Sequence, residues 1–476
     1  MADHNNISFG TDGFRGVISD NFTYANVRKI AQGLSDFIAY KYMRITDKPS
    51  IVVGYDRRFM SEKFAISVAE VLVANGLNVT VSDSVVCTPA ISHMTYKKNI
   101  IGIMITASHN KHYYNGIKFK ESGRSAPPSF TAELESYIAK TSPSSEVDFQ
   151  PQLKSFNKKY VAYLKSKFNI TDILNKIKGP VVVDFMHGTG AEVLNDIFSS
   201  KRIIAINSER DPLFGGIAPE PIEKNMAELI KTVKTNKAAL GIAFDGDSDR
   251  FAMVDEKGNY FSPCQIAPIL LDYLLEKNTL KGKVVQAVSM GYLTKRIVDQ
   301  FNEKSSANKL LLEEVPVGFK YIAEKMISED VAFGVEESGG YSWKGNIPER
   351  DGVLTGLLMM KILADSKKKM SEVYGDIEKK YGKSYFLRHD FEIQKPITNK
   401  HSFAVKLRKK FPKIVLGQKI KKTLTIDGLK IMLANDNWVL MRPSGTEPLM
   451  RIYAETGTLN DTKKLIEFVA KLVNAK

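Results

Sequence analysis

The chain has 476 residues, of which 43% are hydrophobic and 25% are charged, an ordinary composition for a folded protein of about three or four domains. The net charge of +15 and the pI of 9.3 favour anionic partners: phosphorylated small molecules, nucleic acids or membrane headgroups. Two cysteines, Cys87 and Cys264, exclude a disulfide framework and a cysteine metal cluster. Because the N-terminal residues are polar and no apolar run reaches about 18 residues, we expect a cytoplasmic protein without a membrane span.

Along the first part of the chain, helix and strand patterns alternate. Apolar residues at helical spacing predict a helix over residues 23–43, and a second helix begins at Ser61. Short apolar runs predict buried strands at residues 50–56, 78–83 and 100–106. Strands separated by helices are typical of a parallel α/β sheet.

The alternation resumes after residues 141–145, a Thr/Ser/Pro-rich stretch that is typical of a linker. After Lys383, short strands on both sides of a helix indicate a smaller α+β domain. The fold class is therefore α/β, with three α/β units followed by one α+β unit. The further predicted strands lie at residues 180–184, 240–244, 284–289, 331–335 and 438–441, and the further helices begin at Ala191, Gly352 and Asn399.

Four of the predicted strands end in a polar loop. In parallel α/β sheets, ligands bind beyond the carboxyl ends of the strands. The loops are TASHN (106–110), DGDSDR (245–250), EESGG (336–340) and RPSGTEP (442–448). Their side chains suit different parts of one reaction.

The DGDSDR loop carries aspartates at alternate positions. Alternate side chains of an extended or turning segment fall on the same side, so that Asp245, Asp247 and Asp249 can converge on one cation. Three carboxylates without His or Cys favour magnesium or calcium over zinc. An EF-hand is excluded, because Arg250 occupies the position that needs glycine and residues 251–254 have a strand pattern. An Asp/Gly turn without a ligand is the alternative.

The RPSGTEP loop combines Arg442 with two hydroxyls, Ser444 and Thr446, on either side of Gly445. A guanidinium, hydroxyls and close backbone N–H groups can surround a phosphate, and Arg451 adds a second cation. A Pro/Gly turn without a ligand is the alternative.

Two further loops carry weaker signals. GVEESGG, residues 334–340, places two carboxylates and a hydroxyl where they could bind sugar hydroxyls, although the same residues are typical of an exposed acidic turn. FGTDGFRG, residues 9–16, is a Gly-rich loop that contains Arg15. No GxxxxGK[ST] is present and no GxGxxG follows a strand, which argues against nucleotide kinases and NAD enzymes.

Ser108 and His109 are neighbours in the first loop, which suggests a hydrolase. Adjacent side chains usually diverge, however, and a catalytic triad is assembled from distant positions. The chain also has no GxSxG nucleophile elbow. A serine near a cation site and a phosphate-binding loop suits phosphoryl transfer better, with the serine oxygen as the phosphoryl carrier.

Five motifs, in order along nearly the whole chain, resemble those of the α-D-phosphohexomutases, which include phosphoglucomutase and phosphomannomutase. The motifs are FGTDGFRG, TASHN with NGIK, DGDSDR, GVEESGG and RPSGTEP, and RDPLFGGIAPEP at residues 210–221 is similar as well. The resemblance implies four domains around a central cleft, each with one loop. Three related α/β domains with mixed sheets would span residues 1–145, 155–255 and 256–370, and a smaller α+β domain would span 384–476.

The resemblance also implies a reaction. The enzyme would interconvert hexose 1-phosphate and hexose 6-phosphate through a phosphoserine and a hexose 1,6-bisphosphate, which also serves as activator, with one Mg²⁺ per chain. Ser108 matches the phosphorylated serine and Lys118 the general acid/base, whose pKa we expect to be lowered from about 10. The other matches are the Mg²⁺ ligands Asp245, Asp247 and Asp249 together with Ser108; the supporting residues Arg15, His109 and Arg250; the sugar-binding Glu336 and Ser338; and the phosphate-binding Arg442, Ser444, Gly445 and Thr446, to which Arg451 adds a cation.

Two departures from the family pattern concern the substrate. Some relatives have a histidine where this chain has Gly340, and many have an arginine in the third domain where SMGYLTKR offers Lys295 or Arg296. The GVEESGG loop and Gly340 favour a glucose phosphate. Mannose phosphate, or the use of both sugars, is the alternative, and glucosamine phosphate fits less well.

Other classes of protein remain as alternatives. FDGDSD after a strand superficially resembles the aspartate-nucleophile phosphatases and mutases, in which Asp245 would be phosphorylated, although those prefer Thr or Val at the position of Asp249. The resemblance implies a small phosphosugar as partner. Because the lysines are scattered and no basic stripe is interleaved with aromatics, we expect no nucleic acid and no membrane as partner. An inactive relative is disfavoured by the intact Ser108, aspartates and Lys118.

Overall fold

The computed structural model describes residues 7–10, 12–43, 48–142, 151–198, 200–277, 280–304, 309–444 and 448–473. Residues 143–145 of the predicted linker, and Gly445 and Thr446 of the predicted phosphate loop, lie outside these ranges. The chain divides into two compact units. The first comprises Met1–Ser262, Met326–Ser328 and Ser338–Ser371, and the second comprises Pro263–Lys325, Glu329–Glu337 and Glu372–Lys476. No described helix is long and apolar enough to cross a membrane.

The N-terminal part of the first unit is built on a mixed sheet. Its elements are β1 (Phe14–Val17), α1 (Tyr24–Lys41), β2 (Ser50–Tyr55), α2 (Ser61–Ala74), β3 (Val79–Ser82), α3 (Thr88–Thr95), β4 (Ile100–Ile105), β5 (Tyr114–Glu121), β6 (Arg124–Ser125), α4 (Pro128–Ile138) and β7 (Leu153–Lys154). The sheet order is β1-β5-β4-β2-β3-β7, with β6 on β5. Strands β4, β2, β3 and β7 are parallel, and β5 is antiparallel to β4 and β1.

Helix α1 shows how the sequence determines these elements. Its N-cap Thr23 accepts a hydrogen bond from the Asn26 N–H. Its apolar residues recur at helical spacing, and Val27, Leu34 and Phe37 are completely buried in the core that the helix shares with the sheet. The predicted helix and the three predicted strands of this part of the chain are confirmed.

The second part of the first unit contains a five-stranded sheet. Its elements are α5 (Asn157–Lys167), α6 (Ile170–Lys176), β8 (Val181–Asp184), α7 (Gly190–Asn195), β9 (Ile203–Ile206), α8 (Ala227–Thr235), β10 (Leu240–Phe244), β11 (Phe251–Asp255) and β12 (Tyr260–Phe261). The order is β12-β11-β10-β8-β9, with β9, β8 and β10 parallel. Strands β10 and β11 form an antiparallel hairpin whose turn is DGDSDR, and the strand at β11 confirms that the loop is not an EF-hand.

The next stretch of the chain contributes to both units. Its elements are α9 (Pro263–Lys277), β13 (Gly282–Ala287), α10 (Leu293–Lys304), β14 (Leu310–Val315), α11 (Phe319–Ser328), β15 (Val331–Glu336), β16 (Gly340–Trp343), α12 (Gly352–Ser366) and α13 (Met370–Tyr381). Strands β14, β13 and β15 run parallel in the second unit. Helix α12, capped by Asp351, packs against β10, β11 and α6 in the first unit. Residues from the predicted third domain therefore reach the DGDSDR hairpin.

The C-terminal part of the second unit is a smaller α+β domain, as predicted. Its elements are β17 (Tyr385–Glu392), α14 (Lys400–Lys410), β18 (Ile414–Val415), β19 (Gln418–Lys419), β20 (Lys422–Leu424), β21 (Leu429–Met432), β22 (Trp438–Pro443), β23 (Leu449–Thr456) and α15 (Leu459–Leu472). The antiparallel sheet β17-β23-β22-β21-β20 packs against α15 and α14 over an apolar core.

Candidate active site

Ser108 follows strand β4, in the loop that leads to β5, and it is completely buried. Its φ of 51° lies in the left-handed region, which serine rarely adopts. The Ser108 N–H donates to Thr106 Oγ1 over 2.9 Å, which stabilises this conformation. Ser108 Oγ donates a 2.8 Å hydrogen bond to Asp245 Oδ2. Two of the polar loops that follow strands therefore meet at this serine.

Asp245, Asp247 and Asp249 lie in the turn between β10 and β11 and are completely buried. One carboxylate oxygen from each lies within 4.8 Å of the others. Burial and the charges of Asp249 and Asp247 raise the pKa of Asp245 well above its ordinary value. Asp247 Oδ1 and Asp249 Oδ1 have no hydrogen-bond partner among the described residues. Buried carboxylates with orphaned oxygens fit a hard divalent cation such as Mg²⁺.

Lys118, on β5, is buried against the same carboxylates. Its Nζ lies 2.8 Å from Asp247 Oδ2, 3.4 Å from Asp249 Oδ2 and 2.8 Å from Asp12 Oδ2. Burial by itself lowers the pKa of the Lys118 ammonium, but the three carboxylates outweigh burial and raise this pKa above its ordinary value. The expectation of a lowered pKa is therefore wrong, because acidic groups and not basic ones dominate the surroundings of this lysine.

His109 lies beside Ser108, with 3.4 Å between His109 Nδ1 and Ser108 Oγ. The expectation that these adjacent side chains diverge is wrong, because the left-handed backbone at Ser108 lets both face the same site. Burial, Arg250 and Arg15 lower the pKa of His109 well below its ordinary value, so that the imidazole is neutral at about pH 7. Asp245 remains the closer partner of the serine oxygen.

Arg15 and Arg250 flank this cluster. Arg15 Nη1 donates a 2.5 Å hydrogen bond to Asn110 Oδ1, in the loop that carries the serine. Arg250 Nε lies 3.9 Å from Asp245 Oδ2 and 4.0 Å from Asp249 Oδ1. Guanidinium groups at these positions can bind the oxygens of a phosphate.

In the second unit, Arg442 and Arg451 lie opposite each other on β22 and β23. Arg442 Nε donates to Asp427 Oδ2 over 2.7 Å, and Arg451 Nε lies 3.6 Å from Asp390 Oδ2. Ser444, directly after β22, is buried. The described part of the predicted phosphate loop therefore carries two neighbouring guanidiniums and a hydroxyl.

Two more cations at this loop were missed by the sequence analysis. Arg388 donates to both oxygens of Asp390 over 2.8 Å each. Lys400 Nζ donates to Asp427 Oδ1 over 2.6 Å. Each of the two carboxylates thus holds two cations: Asp427 binds Arg442 and Lys400, and Asp390 binds Arg388 and Arg451. Neither Arg388 nor Lys400 belongs to a motif, so that only their contacts with Asp390 and Asp427 reveal them.

The predicted sugar loop crosses from one unit to the other. Glu336, the last residue of β15, is buried in the second unit, whereas Ser338 belongs to the first unit. Between them, Glu337 accepts a 2.5 Å hydrogen bond from Ser289 Oγ. Glu337, the residue after Glu336, therefore contacts the segment that follows β13.

Lys295 and Arg296, the two candidate substitutes for an arginine of the third domain, form ion pairs. Lys295 Nζ lies 2.5 Å from Asp299 Oδ2 and 3.5 Å from Asp436 Oδ1. Arg296 Nε lies 3.9 Å from Asp436 Oδ2. Both side chains therefore connect helix α10 to the C-terminal domain.

Comparison with known families identifies the chain. Models of the phosphoglucomutase/phosphomannomutase α/β/α domains I, II and III match residues 6–145, 158–258 and 262–381, and the model of the C-terminal domain matches residues 397–472. The chain is an α-D-phosphohexomutase. It therefore belongs to a family of isomerases that transfer a phosphate group within a hexose phosphate.

The relatives of this phosphohexomutase differ in the sugar that their names specify. A protein of Methanosphaera stadtmanae named probable phosphoglucosamine mutase is 30% identical over 98% of both chains. A phosphoglucomutase/phosphomannomutase of Thermococcus kodakarensis is 29% identical, also over 98% of both chains. A crystal structure from Thermus thermophilus that carries the name phosphomannomutase has a TM-score of 0.82 and 29% identity, and it covers 98% of this chain and 99% of its own.

Three residues that contact the candidate site were missed by the sequence analysis. Arg350 Nη2 lies 2.7 Å from Asp12 Oδ2 and 2.8 Å from Asp249 Oδ2. Thr88 Oγ1 donates to Asp247 Oδ2 over 2.6 Å. Asp12 stands inside FGTDGFRG and could have been selected with that motif. Thr88 is the first residue of helix α3, and Arg350 lies two residues before helix α12. Both lie outside every motif, so that no sequence signal points to them.

Proposed function

We propose that this enzyme interconverts hexose 1-phosphate and hexose 6-phosphate with Ser108 as the phosphoryl carrier. The observation that carries the proposal is the 2.8 Å hydrogen bond between Ser108 Oγ and Asp245, inside a cluster that also contains Lys118. A buried serine among carboxylates and cations is suited to accept and release a phosphoryl group. The membership of the chain in the phosphohexomutases supports the same reaction.

The reaction would consist of two phosphoryl transfers. The phosphoserine first gives its phosphoryl group to the free C1 or C6 hydroxyl of the sugar monophosphate, which loses a proton while Ser108 Oγ regains one. The hexose 1,6-bisphosphate then reverses its orientation in the site. The second transfer returns the other phosphate to Ser108, and the isomeric monophosphate leaves. Free hexose 1,6-bisphosphate would load the serine and so act as the activator.

The charged residues of the first unit would support each transfer. Mg²⁺ held by Asp245, Asp247, Asp249 and the serine oxygen would supply positive charge against the transferring phosphoryl group. Arg15 and Arg250 would bind the phosphate oxygens, and Lys118 would move the proton. Because carboxylates raise its pKa, Lys118 enters the reaction as an ammonium and is best suited to act first as a proton donor.

The residues of the predicted C-terminal phosphate loop and its neighbours would bind the phosphate that does not react. Arg442 and Arg451 offer guanidinium groups, and Ser444 and Thr446 offer hydroxyls. Arg388 and Lys400 would add positive charge. Glu336 and Ser338 would bind sugar hydroxyls in either orientation of the bisphosphate.

Glucose phosphate is the substrate that we propose first, from the GVEESGG loop and Gly340. Glucosamine phosphate is the second candidate, because several of the similar proteins are named phosphoglucosamine mutase. The test is the ratio of kcat/KM for glucose, mannose and glucosamine 1-phosphates, each with Mg²⁺ and the matching bisphosphate. A higher kcat/KM for glucosamine 1-phosphate would exclude the first assignment.

The phosphoryl carrier is tested by intact mass spectrometry after incubation with glucose 1,6-bisphosphate. We expect one acid-stable phosphate on Ser108 in the wild type and none in Ser108→Ala. The matched control Ser136→Ala removes an exposed hydroxyl and should leave the phosphate in place. An acid-labile phosphate mapped to Asp245 would instead support the aspartate-nucleophile alternative.

A further inference from the structure

Arg58 is a completely buried arginine next to the loop that carries Ser108. Its Nη2 donates to the carbonyl oxygens of Ser108, over 2.7 Å, and Asn110, over 2.6 Å. Its Nη1 donates to the carbonyl oxygens of Lys111, over 3.0 Å, and Tyr114, over 3.1 Å. One guanidinium thus binds four carbonyls, three in the loop between β4 and β5 and one at the first residue of β5.

These contacts determine the conformation of the loop. Four carbonyl oxygens that converge on one point would repel one another without a donor between them. A planar guanidinium with N–H groups at fixed angles can satisfy all four, whereas an ammonium cannot. One of the four acceptors is the carbonyl of Ser108 itself, whose left-handed φ of 51° is a conformation that its surroundings must hold.

Arg58 is itself held from two sides. On its own chain segment, Asp56 Oδ2 lies 3.3 Å from Arg58 Nε, and Asp56 Oδ1 accepts hydrogen bonds from the Arg58 N–H and Ser61 Oγ. On the other side, the Phe214 ring lies 4.8 Å from the Arg58 guanidinium carbon, which is cation–π geometry. Phe214 belongs to RDPLFGGIAPEP, a motif to which the proposed function assigns no role.

We propose that Arg58 is a positioning residue of the phosphoryl transfer, and that Phe214 holds its guanidinium plane in place. The inference rests on the proposed function of Ser108 as the phosphoryl carrier. All the N–H groups on the two Nη atoms of Arg58 face the backbone of one loop, so that Arg58 acts through that loop and not on the sugar phosphate. Its loss should therefore lower kcat and the phosphorylation of Ser108, with little change in KM.

The variants Arg58→Lys and Arg58→Gln test this inference, with Arg57→Gln as the matched control. Arg57 is the adjacent arginine and is also buried, but it binds Glu192 Oε1 and the Ser208 carbonyl instead of the Ser108 loop. We expect kcat to fall about 100-fold in both Arg58 variants, the effect of a small misplacement of a reacting group. We expect Arg57→Gln to keep kcat within a few-fold of the wild type.

A rescue experiment separates positioning from simple loss of packing. Millimolar guanidinium should restore part of the kcat of Arg58→Gly, because the ion can reoccupy the site between the four carbonyls, whereas methylammonium should not. If the Arg58 variants fail to fold by circular dichroism, Phe214→Leu takes their place, and we expect a smaller fall in kcat at unchanged KM.

Any of three results would overturn the inference while the proposed function stands. The first is an Arg58→Lys enzyme with the kcat and the phosphoserine level of the wild type. The second is an equal loss of kcat in Arg58→Gln and Arg57→Gln. The third, where Phe214→Leu is used, is a wild-type kcat in that variant. A wild type that carries no phosphate on Ser108 after incubation with the bisphosphate would overturn the proposed function and this inference together.

Discussion

Each compact unit contains a cluster of buried charges, and the two clusters differ in how completely their polar atoms are satisfied. In the second unit, Lys430 Nζ donates to the Val288 carbonyl over 2.7 Å and to Glu314 Oε1 over 2.6 Å. The Trp438 and Tyr292 rings lie 4.0 Å and 4.2 Å from the same nitrogen. No buried polar atom of these side chains is without a hydrogen-bond partner in the described residues.

Glu455 completes the cluster of the second unit. One of its oxygens accepts hydrogen bonds from the Tyr292 N–H over 2.7 Å and from Trp438 Nε1 over 2.6 Å, and the other accepts one from Ser384 Oγ. The participants come from strand β14, from the segment between β13 and α10, from Ser384 and from the C-terminal sheet. A fully satisfied network of this kind specifies how the two parts of the second unit pack, and it leaves no polar group for a ligand.

In the first unit, the Asp245, Asp247 and Asp249 cluster is incomplete. Two of its carboxylate oxygens lack a hydrogen-bond partner among the described residues, and the pKa of Asp245 is raised by burial and by the neighbouring aspartates. Buried polar groups are nearly always satisfied in folded proteins, so that orphaned carboxylate oxygens indicate a place for a ligand. We therefore expect the aspartate cluster of the first unit to bind a ligand and the satisfied cluster of the second unit to stabilise the fold.

The largest effect should come from replacing the lysine of the incomplete cluster. Lys118→Met removes the group that we assign to proton transfer, and turnover should fall by about 10²–10⁴-fold. The measurement is kcat with glucose 1-phosphate and Mg²⁺. The matched control is Lys120→Met, two residues along β5, where the buried ammonium pairs with Glu349 over 2.7 Å. Equal turnover in the two variants would contradict the assignment of Lys118.

Replacing Lys430, the lysine of the complete cluster in the second unit, should lower the stability of the fold and not the turnover. Lys430→Met leaves Glu314 and the Val288 carbonyl without their cation, and it should lower the free energy of unfolding by about 3–5 kcal/mol. The kcat of the folded enzyme should not change. The measurement is unfolding in urea followed by fluorescence. Because Trp343 and Trp438 are the two tryptophans of the chain, a Trp343→Phe background leaves Trp438 as the single fluorescent tryptophan.

The control for this prediction is Lys422→Met, an exposed lysine on β20 of the same sheet. It should leave the urea transition unchanged. A Lys430→Met enzyme with normal stability and reduced kcat would show that the complete cluster has a function in the reaction, and the contrast between the two clusters would fail.

The predicted helices and strands and the polar loops at the strand ends depend on local sequence patterns. The sequence alone was therefore sufficient to predict them. Thr23 caps its helix through Asn26, three residues away, and the aspartates of DGDSDR converge within a single turn. The contact between Ser108 and Asp245 spans 137 residues, and only the topology of the sheets together with the family resemblance anticipated it.

Tertiary contacts without a motif could not be predicted. Arg350 meets Asp12 across 338 residues, and a pattern search gives no reason to pair them. The direction of the Lys118 pKa shift depends on which charges surround the ammonium, and three carboxylates on different segments decide it. The orientation of His109 depends on a positive φ at the preceding serine, which the residue type does not reveal.

Asp351 shares one feature with each cluster: its carboxylate accepts hydrogen bonds, but burial raises its pKa. It is buried, and its donors are neutral: Tyr160 OH and the Leu354 N–H. Burial raises the pKa of Asp351 to about 7, from the ordinary value of 3.8. Between these two values the folded chain holds a proton that the unfolded chain has lost, so that this group makes stability fall as the pH rises, by about 4 kcal/mol in total.

Asp351→Asn should remove this contribution, because Asn can still cap helix α12 and accept from Tyr160 but does not ionise. Thermal unfolding at pH 5 and pH 8 measures the effect. We expect the variant to unfold at a higher temperature than the wild type at both pH values, with the clearly larger difference at pH 8, because the wild type loses most of the stability between pH 5 and pH 7. The same difference between the two pH values in wild type and variant would show that Asp351 does not control the pH dependence.

A smaller effect, which addresses the incomplete cluster directly, is the stabilisation by Mg²⁺. A cation that binds only the folded chain stabilises it by about 2.7 kcal/mol at 100 times its Kd. Mg²⁺ should therefore raise the melting temperature of the wild type, and EDTA should reverse the rise. Asp247→Asn, which loses one carboxylate of the cluster, should show little or no rise. Lys430→Met should melt at a lower temperature but keep the full rise, because its cluster holds no place for the cation. An equal Mg²⁺-dependent rise in Asp247→Asn would mean that the orphaned oxygens are not the cation site.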